Sequence, residues 1–210
     1  VSITRNTSET QITLSLNLGG APLEEQTILD FKAKFPRAKL LEGYGLSECS
    51  PVVAVNTPER QKARSVGIAL PGLEVKAVND ELVEVPTGEV GELIVKGGSV
   101  MQGYLNMRDA TDEAIVNGWL KTGDFVTIDE DGFIFIVDRK KDLIVVSGFN
   151  VYPNEIEEVI AHNDKVMEVA CIGVPNEKTG EALKVFVVKK DPSLTKEELI
   201  AFCRTELTPR

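Results

Sequence analysis

Asp124 directly follows Gly123 at the end of the stretch Gly118-Trp119-Leu120-Lys121-Thr122-Gly123-Asp124. An ionised carboxylate only accepts hydrogen bonds, so one carried on a glycine-hinged loop suits a ligand that offers two hydroxyls. Further on, Asp138-Arg139-Lys140-Lys141-Asp142 puts three cations and two anions where an apolar strand should continue. Such charges must be solvated or paired, which makes the run either a domain joint or a ligand site. A third group is Gly43-Tyr44-Gly45-Leu46-Ser47-Glu48. Tyr44 offers a flat face to a planar ring, Ser47 a hydroxyl to a phosphate oxygen, and Glu48 a hard oxygen to Mg²⁺. Proteins hold that ion with few carboxylates, together with substrate phosphates. Glu48 reads equally as a carboxylate favoured by a helix N-terminus. The last group, Gly19-Gly20-Ala21-Pro22, is a tight turn where backbone can approach a ligand, or a plain strand-to-helix turn.

These groups need elements to hold them. Residues 12–18 alternate as a strand, 23–35 read as a helix with Ile28, Leu29, Phe31 and Phe35 apolar and Pro36 ending it, and 39–42 as a second strand. Strand, helix, strand is the unit of α/β architecture. Ligands of open α/β sheets sit at the carboxyl ends of strands, where both glycine-rich turns fall. From Pro58 the texture changes to short strands at 66–68, 73–78, 92–96, 125–128 and 133–137, broken by Gly and Pro, which suits a small antiparallel sheet or barrel. Residues 109–117 read as one short inserted helix. Asp131-Gly132 marks a hairpin. The acidic Asp129-Glu130-Asp131-Gly132 run resembles half a calcium loop, but lacks the alternating ligands and closing Glu of an EF-hand; it reads as a turn.

Beyond Asp142 a further module is expected. It comprises a strand at 143–146, a loop Ser147-Gly148-Phe149-Asn150 and a helix at 154–162 opened by Pro153. Strands at 166–174 and 182–189 follow, and then a helix at 195–207 with Thr195 as N-cap and Glu198 three residues on. The fold class is therefore α/β plus a small antiparallel β-barrel or sheet, followed by a compact α+β domain. The expected divisions are 1–57, 58–137, a hinge at 138–142, and 143–210.

The composition narrows the field. A length of 210 residues, 42% hydrophobic and 27% charged, describes an ordinary globular protein with chain enough for a core. A net charge of −10 argues against a nucleic-acid partner, whose phosphates favour a basic face. No apolar run approaches the roughly 20 residues of a membrane span, and no signal-peptide pattern opens the chain. The three cysteines, Cys49, Cys171 and Cys203, lie far apart with no C-x-x-C pair, which points to a reducing cytoplasm and no structural zinc. His162, the one histidine, reads as a surface residue, so the chemistry is not expected to rest on histidine.

Taken in order, GGAP, EGYGLSE, GELIVKGGSVMQGY, GWLKTGD and DRKKDLIVVSGFNVYPNEIE resemble the adenylate-forming superfamily of acyl-CoA synthetases, adenylation domains and luciferases. The resemblance runs from about Leu16 to Leu207, and its wording is most similar to bacterial long-chain fatty-acid–CoA ligases. It implies a two-step reaction. A fatty carboxylate attacks the α-phosphate of ATP to give acyl-AMP and pyrophosphate, and the thiol of CoA then displaces AMP. Position by position, it implies that Gly20, Ala21, Pro22, Glu42, Gly43 and Tyr44 frame the adenine, with Tyr44 stacking on it. Gly45 would leave room for the acyl carboxylate, Ser47 (where the family usually has Thr) would touch phosphate, and Glu48 would hold Mg²⁺. Asp124 would accept both ribose hydroxyls, with Arg139 adding a contact. Lys141 would be the residue about which the C-terminal domain swings, and Ser147, Gly148 and Phe149 would line the pantetheine channel. For Lys140 and Lys141 a solvated charge run is the alternative.

The same resemblance makes this chain an expected C-terminal portion of a larger enzyme. The family's phosphate loop would precede Val1 and its catalytic lysine would follow Arg210; Lys184, Lys189 and Lys190 stand in the wrong context to replace that lysine. Rival readings are a fatty acyl-AMP ligase or adenylation domain that loads a carrier protein, a luciferase-type oxygenase, and a non-catalytic nucleotide-binding module. The expected location is the cytoplasm. A lipid substrate leaves peripheral attachment to the inner membrane face open, although no basic amphipathic helix calls for it.

Overall fold

A computed structural model describes residues 2–5, 12–16, 25–36 and 38–207. The chain divides into two compact units, Val1–Ile136 and Val137–Arg210.

The first unit opens with strands β1 (Ser2–Arg5) and β2 (Ile12–Leu16), helix α1 (Glu25–Lys34) and strand β3 (Lys39–Gly45). β2 and β3 pair in parallel with α1 between them, as the strand–helix–strand pattern requires. β1 pairs antiparallel with β2, and was not legible in its polar sequence. Two further strands, β4 (Val52–Val55) and β5 (Ile68–Ala69), extend the sheet in the order β1-β2-β3-β4-β5. The strand at 52–55 has no counterpart among the expected elements, and the one expected at 66–68 falls at Ile68–Ala69, where it pairs with Ala54 and Val55.

A second, antiparallel sheet follows. It is built from β6 (Leu73–Val78), β7 (Gly91–Gly97), β9 (Trp119–Ile128) and β10 (Ile134–Arg139) in the order β10-β9-β7-β6. Helix α2 (Arg108–Ala114) is shorter than expected, because Ile115–Val116 leave it as strand β8 and pair with the start of β9. The expected turn at 129–132 is closed by Asp129, whose Oδ1 accepts from the amides of Asp131 at 3.0 Å and Phe133 at 2.9 Å. Its other oxygen takes Lys62 Nζ at 2.5 Å. The core gathers Leu93 and Val95 from β7, Leu120 and Val126 from β9, and Ile134, with Val53, Ala54 and Cys49 beside them. Burying each large aliphatic side chain contributes roughly 1.5–3 kcal/mol.

In the second unit, strands β11 (Ile144–Val146), β12 (Phe149–Val151), β13 (Val166–Asn176) and β14 (Gly180–Lys189) form a sheet in the order β12-β11-β14-β13. Helices α3 (Pro153–Ala161) and α4 (Lys196–Glu206) complete it. Ile156 and Ile160 of α3, and Leu199 and Cys203 of α4, pack with Val169, Val185 and Val187 of the sheet. Pro opens α3 where a missing amide costs nothing. Thr195 caps α4, its hydroxyl accepting from the Glu198 amide at 3.1 Å, while the Glu198 carboxylate takes Lys165 Nζ at 2.6 Å. Losing such a cap costs about 1 kcal/mol. Thr195→Ala should therefore lower the urea midpoint by that equivalent and Thr195→Ser should restore it; an unmoved midpoint in the alanine variant would make the cap idle.

Candidate active site

Two stretches expected as glycine-rich loops are strands. Gly43, Tyr44 and Gly45 do not form a turn but continue β3, pairing with Val55, Ala54 and Val52. The local glycine signal is outweighed by this non-local pairing. At Gly45 a Cβ would stand 1.9 Å from the Pro51 carbonyl oxygen, so the close approach of the two segments admits only glycine. Likewise Asp124 lies inside β9, not on a loop. On β7, Leu93 alone faces the stretch that takes Thr122, Gly123 and Asp124 on β9: Ile94 pairs with Lys121, and Glu92 with Phe125. This is a β-bulge, a device that re-aims a side chain out of a regular ladder.

Gly123 takes the left-handed conformation the bulge needs, with φ +74°. Thr122 Oγ1 donates to the Leu93 carbonyl at 2.8 Å and accepts from the Asp124 amide at 3.2 Å, filling the gap in the ladder. The re-aimed Asp124 carboxylate receives the Tyr44 hydroxyl at 2.5 Å. Two of the residues singled out in the sequence, 80 positions apart, are thus joined directly. Burial, and next the Asp124 charge, push the Tyr44 phenol well above its ordinary value, so Tyr44 is a neutral donor to the carboxylate.

After β3 a single 3₁₀ turn, Ser47–Cys49, carries Ser47 and Glu48. Ser47 is exposed and Glu48 partly so. The Glu48 carbonyl accepts from the Met101 amide at 2.7 Å, and its carboxylate Oε1 takes the Tyr104 hydroxyl at 2.9 Å. Both partners belong to the GELIVKGGSVMQGY block, and neither contact was foreseen. A partly exposed carboxylate steadied by one neutral donor fits a hard divalent cation that keeps water and phosphate oxygens in its shell. Among the described residues no group of three or more His, Cys, Asp or Glu could cage a metal by itself.

Beside Glu48 the Cys49 thiol is wholly buried. Burial first, then Glu48, push it from 9.0 up to about 11. Cys171 in the second unit is raised equally, by burial, Glu157 and Asp138. A folded-state value above the unfolded one means the fold holds the proton more tightly. That stabilisation is complete below pH 9.0 and is lost as pH climbs through about 11. The urea midpoint should therefore fall across this window more steeply than in a Cys49→Ala, Cys171→Ala variant; parallel profiles would contradict the assignment.

The charged run lies at the start of the second unit. Asp138 is buried, its Oδ1 accepting from the Arg139 amide at 2.8 Å and its Oδ2 from the Asn154 amide at 3.0 Å. It thereby caps α3 from a distance, a task that the adjacent Tyr152 side chain does not perform. Arg139 is half-buried at the end of β10, and Lys140–Asp142 form a 3₁₀ turn with Lys141 exposed. The expected loop at 147–150 is a hairpin instead. Ser147 (φ 52°) and Gly148 (φ 85°) make its two-residue turn, and Phe149 and Asn150 return as β12. Paired positive φ values give the turn type that matches strand twist. Phe149 is 68% exposed. A cavity of about 300 Å³ in this unit is lined by Asp138, Lys141, Asp142, Glu157 and Glu181 among others. Asp138, Glu157 and Glu181 each hold a backbone amide there.

Gly20, Ala21 and Pro22 lie outside the described residues. Glu42 is in β3, its carbonyl accepting from the Asn56 amide at 2.8 Å. Thr122 and Tyr104 are the positioning groups that sequence reasoning passed over. The only available signal for them was membership of the GWLKTGD and GELIVKGGSVMQGY blocks.

The profile described as AMP-binding enzyme matches residues 4–105, and that of the AMP-binding enzyme C-terminal domain matches 155–209. The chain belongs to the AMP-binding enzyme family. Relatives in this family include a long-chain-fatty-acid–CoA ligase of Escherichia coli O6:H1, 54% identical over 93% of this chain and 35% of its own length. Another of that name, from Bacillus subtilis, is 42% identical over 86% of this chain and 33% of its own. Among solved structures, ATP-bound MatB from Rhodopseudomonas palustris superposes with a TM-score of 0.83 at 34% identity, covering 93% of this chain and 39% of that one. O-succinylbenzoate CoA synthetase (MenE) of Bacillus subtilis in complex with AMP gives 0.78 at 31%, over 93% and 40%. The chain thus spans about 35% of the length of the curated ligases named here. Among its described residues no helix is long and apolar enough to cross a membrane.

Proposed function

We propose that this chain is part of an ATP-dependent long-chain fatty-acid–CoA ligase. The reading is carried by the 54% identity to a ligase of that name over 93% of the chain. The Tyr44–Asp124 contact supports it by supplying an aromatic face and a hydroxyl-accepting carboxylate at one place. In this reading Tyr44 stacks on adenine, Asp124 accepts the two ribose hydroxyls and Arg139 adds a ribose contact. Gly20, Ala21, Pro22, Glu42 and Gly43 border the base, and Ser47 donates to a phosphate oxygen. Gly45 borders the acyl carboxylate. Glu48, steadied by Tyr104, holds Mg²⁺, which when bound offsets charge on the triphosphate. Bringing a carboxylate onto the α-phosphate joins two anions, so cationic and hydrogen-bonding groups fixed beforehand lower the barrier.

Residues 1–57 and 58–137 are two parts of a nucleotide-binding body, 138–142 a hinge centred on Lys141, and 143–210 a mobile domain. Ser147, Gly148 and Phe149 of that domain border the channel for the pantetheine of CoA. An exposed, charged element end suits a hinge, because it stays solvated as its φ and ψ change.

The test is fatty-acid-dependent ATP–pyrophosphate exchange by the whole protein its gene encodes, followed by thioester formation with CoA or with acyl-carrier protein. Exchange and acyl-CoA are expected. Product on the carrier protein alone would move the assignment to an acyl-AMP ligase, and no exchange with any fatty acid would remove it.

A further inference from the structure

β7 is buried on both faces from Gly91 to Val95, and Glu92 is among the buried residues at 3% exposure. A carboxylate in the central strand of a sheet costs desolvation that aliphatic neighbours such as Leu93 and Val95 do not. Its Oε1 accepts from the Gly123 amide at 3.3 Å. That amide sits at the centre of the bulge, between Thr122 and Asp124, where no ladder partner is available because Leu93 alone spans three residues. The bulge is thus tied to β7 at two points, by Thr122 Oγ1 to the Leu93 carbonyl and by the Gly123 amide to Glu92. Asp124 is the next residue, and its own amide rests on Thr122 Oγ1. Holding the peptides on both sides of Gly123 fixes the direction in which the Asp124 carboxylate leaves the strand.

We propose that Glu92 is a positioning residue for Asp124, setting the carboxylate for ribose recognition without touching the nucleotide. This rests on the ribose role given to Asp124 above. A pocket that is 1 Å too loose binds much less well than one fixed beforehand, so the effect should be confined to the hydroxyls that Asp124 meets.

The experiment measures dissociation constants of AMP and of 2′,3′-dideoxy-AMP for the whole protein its gene encodes, by titration calorimetry, in four forms. The unaltered protein should prefer AMP. Asp124→Ala should abolish the preference. Glu92→Ala should reduce it about tenfold, the scale of one lost hydrogen bond, with little change for the dideoxy ligand. Glu92→Gln, which keeps an Oε1 acceptor and the side-chain volume, should restore it. A Glu92→Ala protein that weakens toward both ligands equally, or keeps the full preference while Asp124→Ala loses it, overturns the positioning role and leaves the ribose reading standing. A preference that survives Asp124→Ala overturns the ribose reading itself, and this inference with it. Should Glu92→Ala fail to fold, Glu92→Gln and Thr122→Val carry the comparison: a Thr122→Val protein with undiminished preference for AMP would count against the bulge as the device.

Discussion

Asp124→Ala should lower kcat/KM for ATP in the whole enzyme by roughly 10²–10³-fold, the largest effect expected of any single site residue. Hydrogen bonds to an ionised group contribute about 1.5–3 kcal/mol each, and two ribose hydroxyls are at stake. At about 1.4 kcal/mol per factor of ten, even the lower figure gives two decades. Tyr44→Phe separates the parts of the site. It keeps the ring that would stack on adenine but removes the hydroxyl held 2.5 Å from the carboxylate. Its loss should be only a few-fold, on the scale of roughly 1 kcal/mol. Steady-state kinetics with ATP varied at saturating fatty acid reads both. An Asp124→Ala enzyme with unaltered kcat/KM for ATP would end the ribose assignment, whatever became of the fold.

The second large effect concerns stability. Gly45 was singled out as a residue leaving space for a substrate carboxylate, but its surroundings give it a different constraint. An added Cβ would stand 1.9 Å from the Pro51 carbonyl oxygen and 2.8 Å from its carbon, both backbone atoms that cannot swing aside. Overpacking in a well-packed region costs about 1–3 kcal/mol, and here the β3–β4 pairing itself must give way. Gly45→Ala should therefore lose roughly 3 kcal/mol or more by urea unfolding. Gly123→Ala is the contrasting case. Nothing lies within 4 Å of its Cβ position, so only the backbone strain of a positive φ opposes it, on the order of 1–2 kcal/mol. If Gly45→Ala unfolds at the parental midpoint and loses activity alone, the substrate-space role stands and the packing role does not.

The chemistry of individual residues was more legible in the sequence than the backbone carrying it. Thr195 and Glu198 announce the start of α4 because a cap is made within four residues. Asp131-Gly132 announces a turn for the same local reason. Asp124 was recognised as a hydroxyl acceptor, but Gly123 looked like a loop hinge; only the pairing with β7, some thirty residues upstream, makes it the centre of a bulge. Gly43 and Gly45 misled in the same way. Their glycine content marks a close approach of β4, which no local pattern reveals. Ser147 at φ 52° makes a hairpin turn that a sequence shows only through its neighbour Gly148. Tyr104 lies 56 residues from the Glu48 it steadies, so no local pattern marks its role.

The bulge in β9 has an arithmetic side. Three residues stand where one would do, a surplus of two. An even surplus leaves the alternation of the strand intact, which is why Leu120 before it and Val126 after it enter the same core. Deleting Gly123 alone would leave two residues facing Leu93, the ordinary two-for-one bulge, with the Glu92–Phe125 and Ile94–Lys121 pairs still able to form on either side. Deleting Thr122 and Gly123 together would preserve the parity of the strand and straighten it, at the expense of the carboxylate's outward set. The bulge is thus a reserve of chain that can be shortened without shifting the ladder on either side of it, and the carboxylate's outward set is what the shortening would lose.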